Sequence, residues 1–513
     1  MLRKIRIIVA VISLLAMTAM FVDFTGAAAG WLSFLPKVQF VPALLAVNFV
    51  AIAVVLALTL LFGRLYCSII CPLGILQDCV TRIRAWLTPK KKRRRGMFAF
   101  AAANTGVRVG VLCVFAAAAV LGLTGALAMS YAGLLEPYSI FGRFAGQFLV
   151  PAWRTAADAV AESAADHGNF MLDRAVAPSA FLWVLAAIAA LQIVIVLALA
   201  VWRGRWYCNT ICPVGTALGA ISPFSLFKVS IDMDKCVSCG LCGRFCKSAC
   251  IDTKNHRIDY SRCVACMDCM DHCSTNALGF RFAPGRQKAV ESVKKAAKTS
   301  AADAGRRSFL IAAGIAGGAL AMKGADKVTD GGLAPVKAKQ RHSDAPSPVP
   351  AGAISMKHFS EHCTACQLCV SECPNGVLKP SLSPSGFMQP QLVFGSDFCR
   401  PECVRCSEVC PTGAIRPIDI AEKSAIKIGT AVVDTELCIS AAYGQHCGNC
   451  ARNCPAGAIT MVKGEYGMRP AVNAALCIGC GKCEYVCPVG SAGQFSSDVA
   501  AIHVVGNEVH MHI

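Results

Sequence analysis

The sequence predicts a multi-domain protein: an all-α, four-helix transmembrane domain followed by small α+β domains that are dense in cysteine. Two observations lead to this prediction. The 513 residues are 55% hydrophobic and only 16% charged, which is too apolar for an ordinary soluble enzyme. The chain also contains 31 cysteines, most of them in tight local groups in its second half. Such grouping is typical of metal ligands rather than of a disulfide scaffold.

Four apolar segments are each long enough, at about 20 residues, to cross a bilayer as a helix. They run from Ile5 to Phe24, Val41 to Phe62, Val107 to Ser130 and Phe181 to Trp202, within a predicted membrane domain of residues 1–227. Basic residues precede the first span and follow the second, where Lys90 to Arg95 form an unbroken run. The excess of positive charge predicts that both ends of this domain are cytoplasmic, with the basic run at the lipid surface.

The net charge of +19 is unevenly distributed. Residues 325–513 hold 15 Lys and Arg against 16 Asp and Glu, so the first 324 residues carry +20. These bases lie beside apolar segments, which argues against a nucleic-acid partner.

A basic linker (283–305) precedes an internal twin-arginine signal or short anchor (306–324), with Arg306, Arg307 and an Ala319-Leu320-Ala321 site. After a flexible tether (325–353), residues 354–513 are therefore predicted to be periplasmic.

Residues 228–282 contain two copies of the pattern Cys-x2-Cys-x2-Cys-x3-Cys. A 4Fe-4S cube needs four converging thiolates, and in bacterial two-cluster ferredoxins the fourth cysteine of each motif binds the other cube. Structural zinc sites use separated Cys-x2-Cys pairs, so zinc is the weaker interpretation. The predicted ligand sets are Cys236, Cys239, Cys242 and Cys273 for one cube, and Cys263, Cys266, Cys269 and Cys246 for the other. Cys250 is expected to be structural.

Residues 354–513 carry four further cysteine groups, each closing with Cys-Pro. Two have the standard spacing, and two have a longer first gap. They predict four more cubes, six in all, with ligands Cys363, Cys366, Cys369 and Cys373; Cys399, Cys403, Cys406 and Cys410; Cys438, Cys447, Cys450 and Cys454; and Cys477, Cys480, Cys483 and Cys487. The fourth cysteines could be exchanged between sequence neighbours, or between the first and last groups and the second and third.

The membrane domain contains an internal repeat. Residues 63–74 match residues 204–215 at eight of twelve positions, and each copy includes Cys-x3-Cys-Pro. The four cysteines are Cys67, Cys71, Cys208 and Cys212, and each copy follows a predicted span, so the thiols can meet on one membrane face. Three roles for these cysteines are compatible with the sequence: ligands of another metal centre, dithiols that cycle between reduced and oxidised forms, or parts of a purely structural turn. A redox or metal-binding role is favoured.

The segment 131–180 mixes aromatic and polar residues, as interfacial helices do. A quinone head group could dock there with Glu136, Tyr138 or Arg143, although packing on the bilayer surface explains the same residues. The first 166 residues contain no histidine and the chain has no Cys-x2-Cys-His, which argues against bis-histidine haem in the first three spans and against c-type haem. No glycine-rich motif for a flavin or nucleotide follows a strand-like segment.

Two kinds of known protein each have some of these features. The spans, the Cys-x3-Cys-Pro pair and the two-cluster motif resemble NapH, the membrane subunit of periplasmic nitrate reductase systems. The twin-arginine signal with four further groups is similar to the MauM/NapG family of periplasmic ferredoxins. The resemblance implies a quinol dehydrogenase that passes electrons from the quinol pool to a periplasmic reductase or its small electron-carrier subunit. Both parts occur here in one chain, and cleavage after Ala321 would separate them.

Two other functions are compatible with the sequence. The chain could conduct electrons from a cytoplasmic ferredoxin to a periplasmic oxidoreductase without using quinol. It could also be a membrane ferredoxin for maturation or sensing. The four cysteine groups of the predicted periplasmic domain favour electron conduction over sensing, because a sensor needs only one cluster.

Overall fold

The computed structural model describes residues 2–23, 26–89, 97–166, 183–284, 329–330, 334–335, 339, 345–490 and 499–512. The predicted twin-arginine signal and the basic run Lys90 to Arg95 lie outside the described residues, as do nearly all of the basic linker and part of the tether. Three parts are named below: the helical domain (residues 2–224), the first cysteine-rich domain (227–284) and the second cysteine-rich domain (345–512).

The helical domain contains α1 (Leu2–Val22), α2 (Ala27–Leu32), α3 (Phe34–Lys37), α4 (Phe40–Leu45), α5 (Phe49–Phe62), α6 (Tyr66–Ile69), α7 (Pro72–Leu87), α8 (Thr105–Leu123), α9 (Ser130–Gly133), α10 (Pro137–Phe144), α11 (Val150–Asp166), α12 (Trp183–Arg203), α13 (Trp206–Thr210) and α14 (Pro213–Ile221). A π-helical turn, Ala145–Leu149, joins α10 to α11.

Within the described residues, three helices are long and apolar enough to cross a membrane: α1, α8 and α12. The second predicted span is different, because the chain breaks between α4 and α5. Val47 adopts a left-handed φ of 51°, and the Asn48 side chain then accepts a hydrogen bond from the Ala51 amide to start α5. The resulting helix has only 14 residues, so the described part of the chain does not show the predicted four full-length spans.

The first cysteine-rich domain is built on short antiparallel pairs. Its elements are β1 (Phe227–Ile231), α15 (Leu241–Arg244), β2 (Ile251–Asp252), β3 (Arg257–Ile258), α16 (Asp268–Asp271) and β4 (Leu278–Phe282). Strand β1 pairs with β4, so that Phe227 lies opposite Phe282, and β2 pairs with β3. The pairing of first and last strands brings the two cysteine motifs together.

The second cysteine-rich domain has three two-stranded antiparallel sheets, β7–β8, β9–β12 and β10–β11. Its elements are α17 (Met356–His362), α18 (Leu368–Ser371), β7 (Leu378–Pro380), β8 (Pro390–Leu392), α19 (Arg405–Val409), α20 (Ile420–Ala425), β9 (Ile426–Val433), α21 (Ile439–Tyr443), α22 (Asn449–Arg452), β10 (Ile459–Lys463), β11 (Met468–Val472), α23 (Lys482–Tyr485) and β12 (Ile502–His512). Two short strands precede it, β5 (Thr329–Asp330) and β6 (Ala334–Pro335). One hydrophobic core joins all four cysteine loops.

The two cysteine-rich domains lie at opposite ends of α1. Near its start, Arg3 Nε is 2.7 Å from an Asp268 carboxylate oxygen in the first cysteine-rich domain. Near its end, Phe21 packs in one cluster with Leu368 of the second cysteine-rich domain. A helix of 21 residues is about 30 Å long, which is the thickness of a bilayer's hydrocarbon core.

Helix α12 connects the same two domains in the opposite direction. Leu185, near its start, packs with Ala365 of the second cysteine-rich domain. Just after its end, the Arg205 amide donates a hydrogen bond of 2.8 Å to the Lys247 carbonyl of the first. The helical domain therefore stands between two cysteine-rich domains.

Candidate functional site

The structure brings together both cysteine sets predicted in the first cysteine-rich domain. One cavity is lined by Cys236, Cys239, Cys242 and Cys273. A second cavity is lined by Cys246, Cys263, Cys266 and Cys269. Each motif therefore gives three cysteines to one cavity and its fourth to the other, which is the exchange expected of a two-cluster ferredoxin.

Cys250 lies at the second of these cavities, beside two predicted ligands. Its Sγ is 3.5 Å from Cys246 Sγ, and it also hydrogen-bonds Cys263. The hydrogen bond from Cys250 lowers the pKa of Cys246 to about 7, against the effect of burial. The sequence suggested only a structural role for Cys250, whereas its thiol stabilises the thiolate of a predicted ligand.

The cysteine loops share a backbone conformation that suits a cluster. The residues just before and just after the second cysteine have left-handed φ angles in several motifs. These pairs are Ser238 and Gly240, Ala265 and Met267, Ala365 and Gln367, and Gly479 and Gly481. Backbone that alternates in this way turns successive N–H groups towards one side, forming the anion-binding nests found at iron–sulfur sites. The described loops therefore fit 4Fe-4S clusters.

In the second cysteine-rich domain, the fourth cysteines are exchanged between sequence neighbours. Helix α18 of the first motif contacts α19 of the second. Cys410 lies close enough to act electrostatically on the thiols of Cys363 and Cys369, and Cys373 lies close enough to act on Cys406. The first two motifs are therefore paired, an arrangement that the spacing left open.

The last two motifs are paired in the same way. One cavity is lined by Cys438, Cys447, Cys450 and Cys487. Burial raises the pKa of Cys450 to about 11, and the other three thiols add to this shift. Burial also raises the pKa of Cys480 to about 11, with Cys454 contributing. Such thiols lose their protons readily only when a metal takes the proton's place.

The four cysteines of the internal repeat meet inside the helical domain. Cys67, Cys71, Cys208 and Cys212, here called the thiol quartet, are each only 4% exposed and share one hydrophobic cluster. They are close enough to influence one another electrostatically. The prediction that the two copies could bring their thiols together is therefore consistent with the structure.

The two copies are locked together by a reciprocal exchange of arginines. Arg64 Nη2 donates a hydrogen bond of 2.9 Å to the Cys208 carbonyl, and Arg205 Nη1 donates one of 2.8 Å to the Cys67 carbonyl. Gly74 and Gly215 make room for this exchange, since a Cβ on either would overlap a cysteine carbonyl and the arginine from the other copy. Both arginines are fully buried.

A buried carboxylate connects the repeat to the first cysteine-rich domain. Asp78 pairs with Arg205 at 2.7 Å, Lys247 at 2.8 Å and Arg6 at 2.9 Å. Lys247 also reaches Asp268 at 3.0 Å. The sequence reasoning did not find this network, although Arg64 and Arg205 are among the positions that the two copies share.

The segment expected to lie on the bilayer surface instead contacts the second cysteine-rich domain. Glu136, Tyr138 and Arg143 are fully buried. Glu136 caps α10 by accepting hydrogen bonds from the Tyr138 and Ser139 amides, and Arg143 donates to the Gly133 carbonyl at 2.9 Å. The polar groups suggested for a quinone head group therefore already have protein partners, apart from the Tyr138 hydroxyl.

Close backbone contacts hold this interface. A Cβ on Gly133 or Gly142 would overlap the carbonyl oxygens of Thr364 and Cys366, respectively. Helix α10 separates the thiol quartet from the first loop of the second cysteine-rich domain: Ile140 belongs to the quartet's cluster, and Phe141 packs with Cys366. One helix diameter, about 10 Å, therefore lies between them.

Known proteins match both halves of the chain. Residues 44–95 and 177–232 match a family described as a 4Fe-4S binding domain, residues 445–491 match a 4Fe-4S dicluster domain, and residues 430–459 and 356–379 match two further 4Fe-4S binding domains. No solved structure matches the chain.

Three curated relatives cover different parts of the chain. The ferredoxin-type protein NapH of Haemophilus influenzae is 25% identical over 244 residues, 45% of this chain and 66% of NapH. The methylamine utilization ferredoxin-type protein MauM of Methylobacillus flagellatus is 33% identical over 143 residues, 25% of this chain and 59% of MauM. The pyruvate synthase subunit PorD of Methanothermobacter marburgensis is 38% identical over 66 residues, 13% of this chain and 80% of PorD. The chain thus spans less than two thirds of the NapH and MauM relatives.

Paired cysteine loops on an apolar helical domain define an iron–sulfur electron-transfer protein with 4Fe-4S ferredoxin domains. More particularly, one part of the chain is similar to the ferredoxin-type protein NapH and another to MauM, so that the chain resembles a fusion of the two kinds.

Proposed function

We propose that the chain is a quinol dehydrogenase-type protein that passes electrons from the quinol pool, through six 4Fe-4S clusters, to a periplasmic reductase or its small electron carrier. One observation carries this proposal: α1 and α12 each have the first cysteine-rich domain at one end and the second at the other. An arrangement of this kind suits electron transfer across a membrane. In this proposal the first domain is cytoplasmic and the second periplasmic.

The 24 cysteines of the six predicted sets would hold the clusters, and each cluster would supply one-electron transfer. The protein's part is to fix their spacing and to tune them by burial and hydrogen bonds to sulfur. Backbone amides already point at sulfur in both domains: Ala277 N lies 3.2 Å from Cys273 Sγ, and Ala458 N lies 3.3 Å from Cys454 Sγ.

Quinol-dependent reduction of the clusters tests the proposal. In anaerobic membranes containing the full chain, menaquinol or ubiquinol is expected to bleach the visible absorption of the clusters. The matched variant is Cys366→Ser, which removes one ligand in the second domain. It should slow electron delivery to an external acceptor while leaving the first domain reducible. Clusters that dithionite reduces but neither quinol does would contradict the proposal.

A soluble electron donor is the second candidate, because one cavity of the first cysteine-rich domain reaches the surface. Cys239 is exposed, and its neighbour Val237 is 64% exposed. A cluster there could accept electrons directly from a cytoplasmic ferredoxin. Reduction by a reduced ferredoxin, together with none by quinol, would favour this candidate.

A further inference from the structure

The four cysteines of the thiol quartet could act as ligands, but none of them belongs to the ligand sets of the six predicted cubes. They lie between the two cysteine-rich domains. We propose that the quartet binds a seventh iron–sulfur centre, to which each repeat contributes two thiolates. The inference deepens the proposed function by adding a step to the same electron path. It rests on the proposed iron–sulfur content of the chain but not on quinol as the donor.

Two observations indicate that both repeats contribute to one centre: the number of cysteines in each repeat and the way in which the repeats interlock. Within its Cys-x3-Cys-Pro motif each repeat supplies only two cysteines, whereas an iron–sulfur cluster is usually held by four. The reciprocal bonds of Arg64 and Arg205 hold the two cysteine pairs in one buried cluster. The family described as a 4Fe-4S binding domain matches both repeats, and each match contains only one of these pairs.

Positively polarised groups lie beside the sulfur atoms of the quartet. Gln77 Nε2 lies 3.2 Å from Cys208 Sγ, and the Gly215 amide lies 3.3 Å from Cys212 Sγ. Cys71 and Cys212 are the N-cap residues of α7 and α14, each followed by proline at the first helical position. The positive ends of two helices therefore lie at two of the four cysteines.

Buried positive charge is also available to balance a negatively charged centre. Arg64 is fully buried, and it donates hydrogen bonds to neutral oxygens of Cys208, Asn209 and Ser261 and to the Cys67 side chain. It acts electrostatically on Cys67 of the quartet and on Cys263 of the first cysteine-rich domain. A buried guanidinium without a carboxylate is costly unless another anion is close. Clusters on both sides would supply that anion.

A single zinc ion fits less well. Among the described residues, no group of three or more His, Cys, Asp or Glu is gathered tightly enough for one metal ion. This holds for the quartet and equally for the ferredoxin loops, whose sulfurs surround a larger cluster. No described cysteine is in a disulfide, so all four sulfur atoms of the quartet are available as ligands.

The centre would shorten the path between the domains. Cys266 and Val264 of the first cysteine-rich domain pack with the quartet's cluster, and α10 contacts both the quartet's cluster, through Ile140, and the Cys366 loop, through Phe141. Electron tunnelling weakens steeply with distance, so an intermediate centre at the quartet divides one long step into two short ones.

Metal analysis of the full-length protein tests the proposal. Six cubes account for about 24 iron atoms per chain, so a seventh centre should add about two or four, with matching acid-labile sulfide. Cys71→Ser in one repeat and Cys212→Ser in the other should each remove the whole excess and its electron paramagnetic resonance signal. The double variant should remove no more. Cys79→Ser and Cys113→Ser are the matched controls and should keep it.

Three results would overturn the proposal. The first is about 24 iron atoms per unaltered chain, and the second is one zinc ion per chain. The third is an iron loss in the double variant equal to the sum of the losses in the two single variants. If the cysteine variants fail to fold, Gln77→Leu gives an independent test. It removes the N–H donor to Cys208 Sγ but no ligand, so the midpoint potential of one signal should fall while the other six stay unchanged. An unaltered set of midpoint potentials would argue against a cluster at the quartet. Failure of quinol reduction would leave all these readouts unaffected.

Discussion

Buried ion pairs hold the first cysteine-rich domain to the helical domain, whereas close backbone packing and hydrogen bonds, two of them donated by Arg143 and Arg154, hold the second. Lys247 and Asp78 form a buried ion pair at the first interface. At the second, Ser139 Oγ lies 3.1 Å from Thr364 Oγ1, and Gly142 lies directly against the Cys366 backbone.

The difference shows two ways of positioning a cluster at a membrane surface. Buried charges hold a domain firmly only while every charge keeps its partner, because an unpaired buried charge is costly. Close packing of backbone depends instead on the absence of side-chain atoms. The two interfaces should therefore respond to different substitutions, and each can be broken without the other.

The largest effect is expected from Asp78→Asn. Three buried cations, Arg6, Arg205 and Lys247, would lose their shared carboxylate. The free energy of unfolding should fall by about 3–5 kcal/mol. Hydrogen exchange should increase around residues 247–273 and not at the second interface. Denaturant unfolding in detergent measures the first quantity.

The matched control is Asp271→Asn. Its side chain is 48% exposed and pairs with Arg3 at the surface, so the expected cost is at most about 1 kcal/mol. Equal losses for both variants would show that burial of the ion pairs does not decide the strength of this interface.

A smaller effect is expected from Gly142→Ala. The new methyl group would overlap the Cys366 carbonyl and cost about 1–3 kcal/mol. Gly110→Ala is the control, because its Cβ would have no neighbour within 4 Å. It should leave stability unchanged or raise it by up to about 1 kcal/mol. Thermal unfolding distinguishes them, and a harmless Gly142→Ala would mean that the second interface is not tightly packed.

The last prediction concerns pH. Burial lowers the pKa of His510, on β12 of the second cysteine-rich domain, to about 4 from 6.5, so this domain holds the imidazole neutral. Between these values the unfolded chain binds a proton that the folded chain does not. Stability should therefore be complete above about pH 6.5 and decline as the pH falls towards 4. His510→Gln should flatten this part of the curve, and a curve of unaltered slope would refute the expectation.

Local spacing was enough to predict much of this arrangement. The intervals between cysteines predicted which residues line the two cavities of the first domain, since three ligands come from one short loop. The eight shared positions of the repeat, among them Arg64, Arg205, Gly74 and Gly215, marked a paired structure whose geometry appears only in three dimensions.

Features that depend on residues far apart in the sequence could not be predicted from local spacing. Spacing does not say which fourth cysteine crosses over in the second domain, because that depends on how the sheets stack. Hydropathy made residues 41–62 look like one span, since it does not register the left-handed Val47. Glu136 and Arg143 looked like surface residues because nothing local shows that another domain, more than 200 residues later, covers them.

The crossed arginines of the repeat also give the helical domain an internal symmetry. Each guanidinium hydrogen-bonds a carbonyl of the opposite copy as well as a cysteine of its own copy, and the contact from the first copy to the second mirrors the contact back. This is the self-complementary relation of a two-fold symmetric dimer. One polypeptide therefore contains the kind of contact that two identical molecules make when they associate.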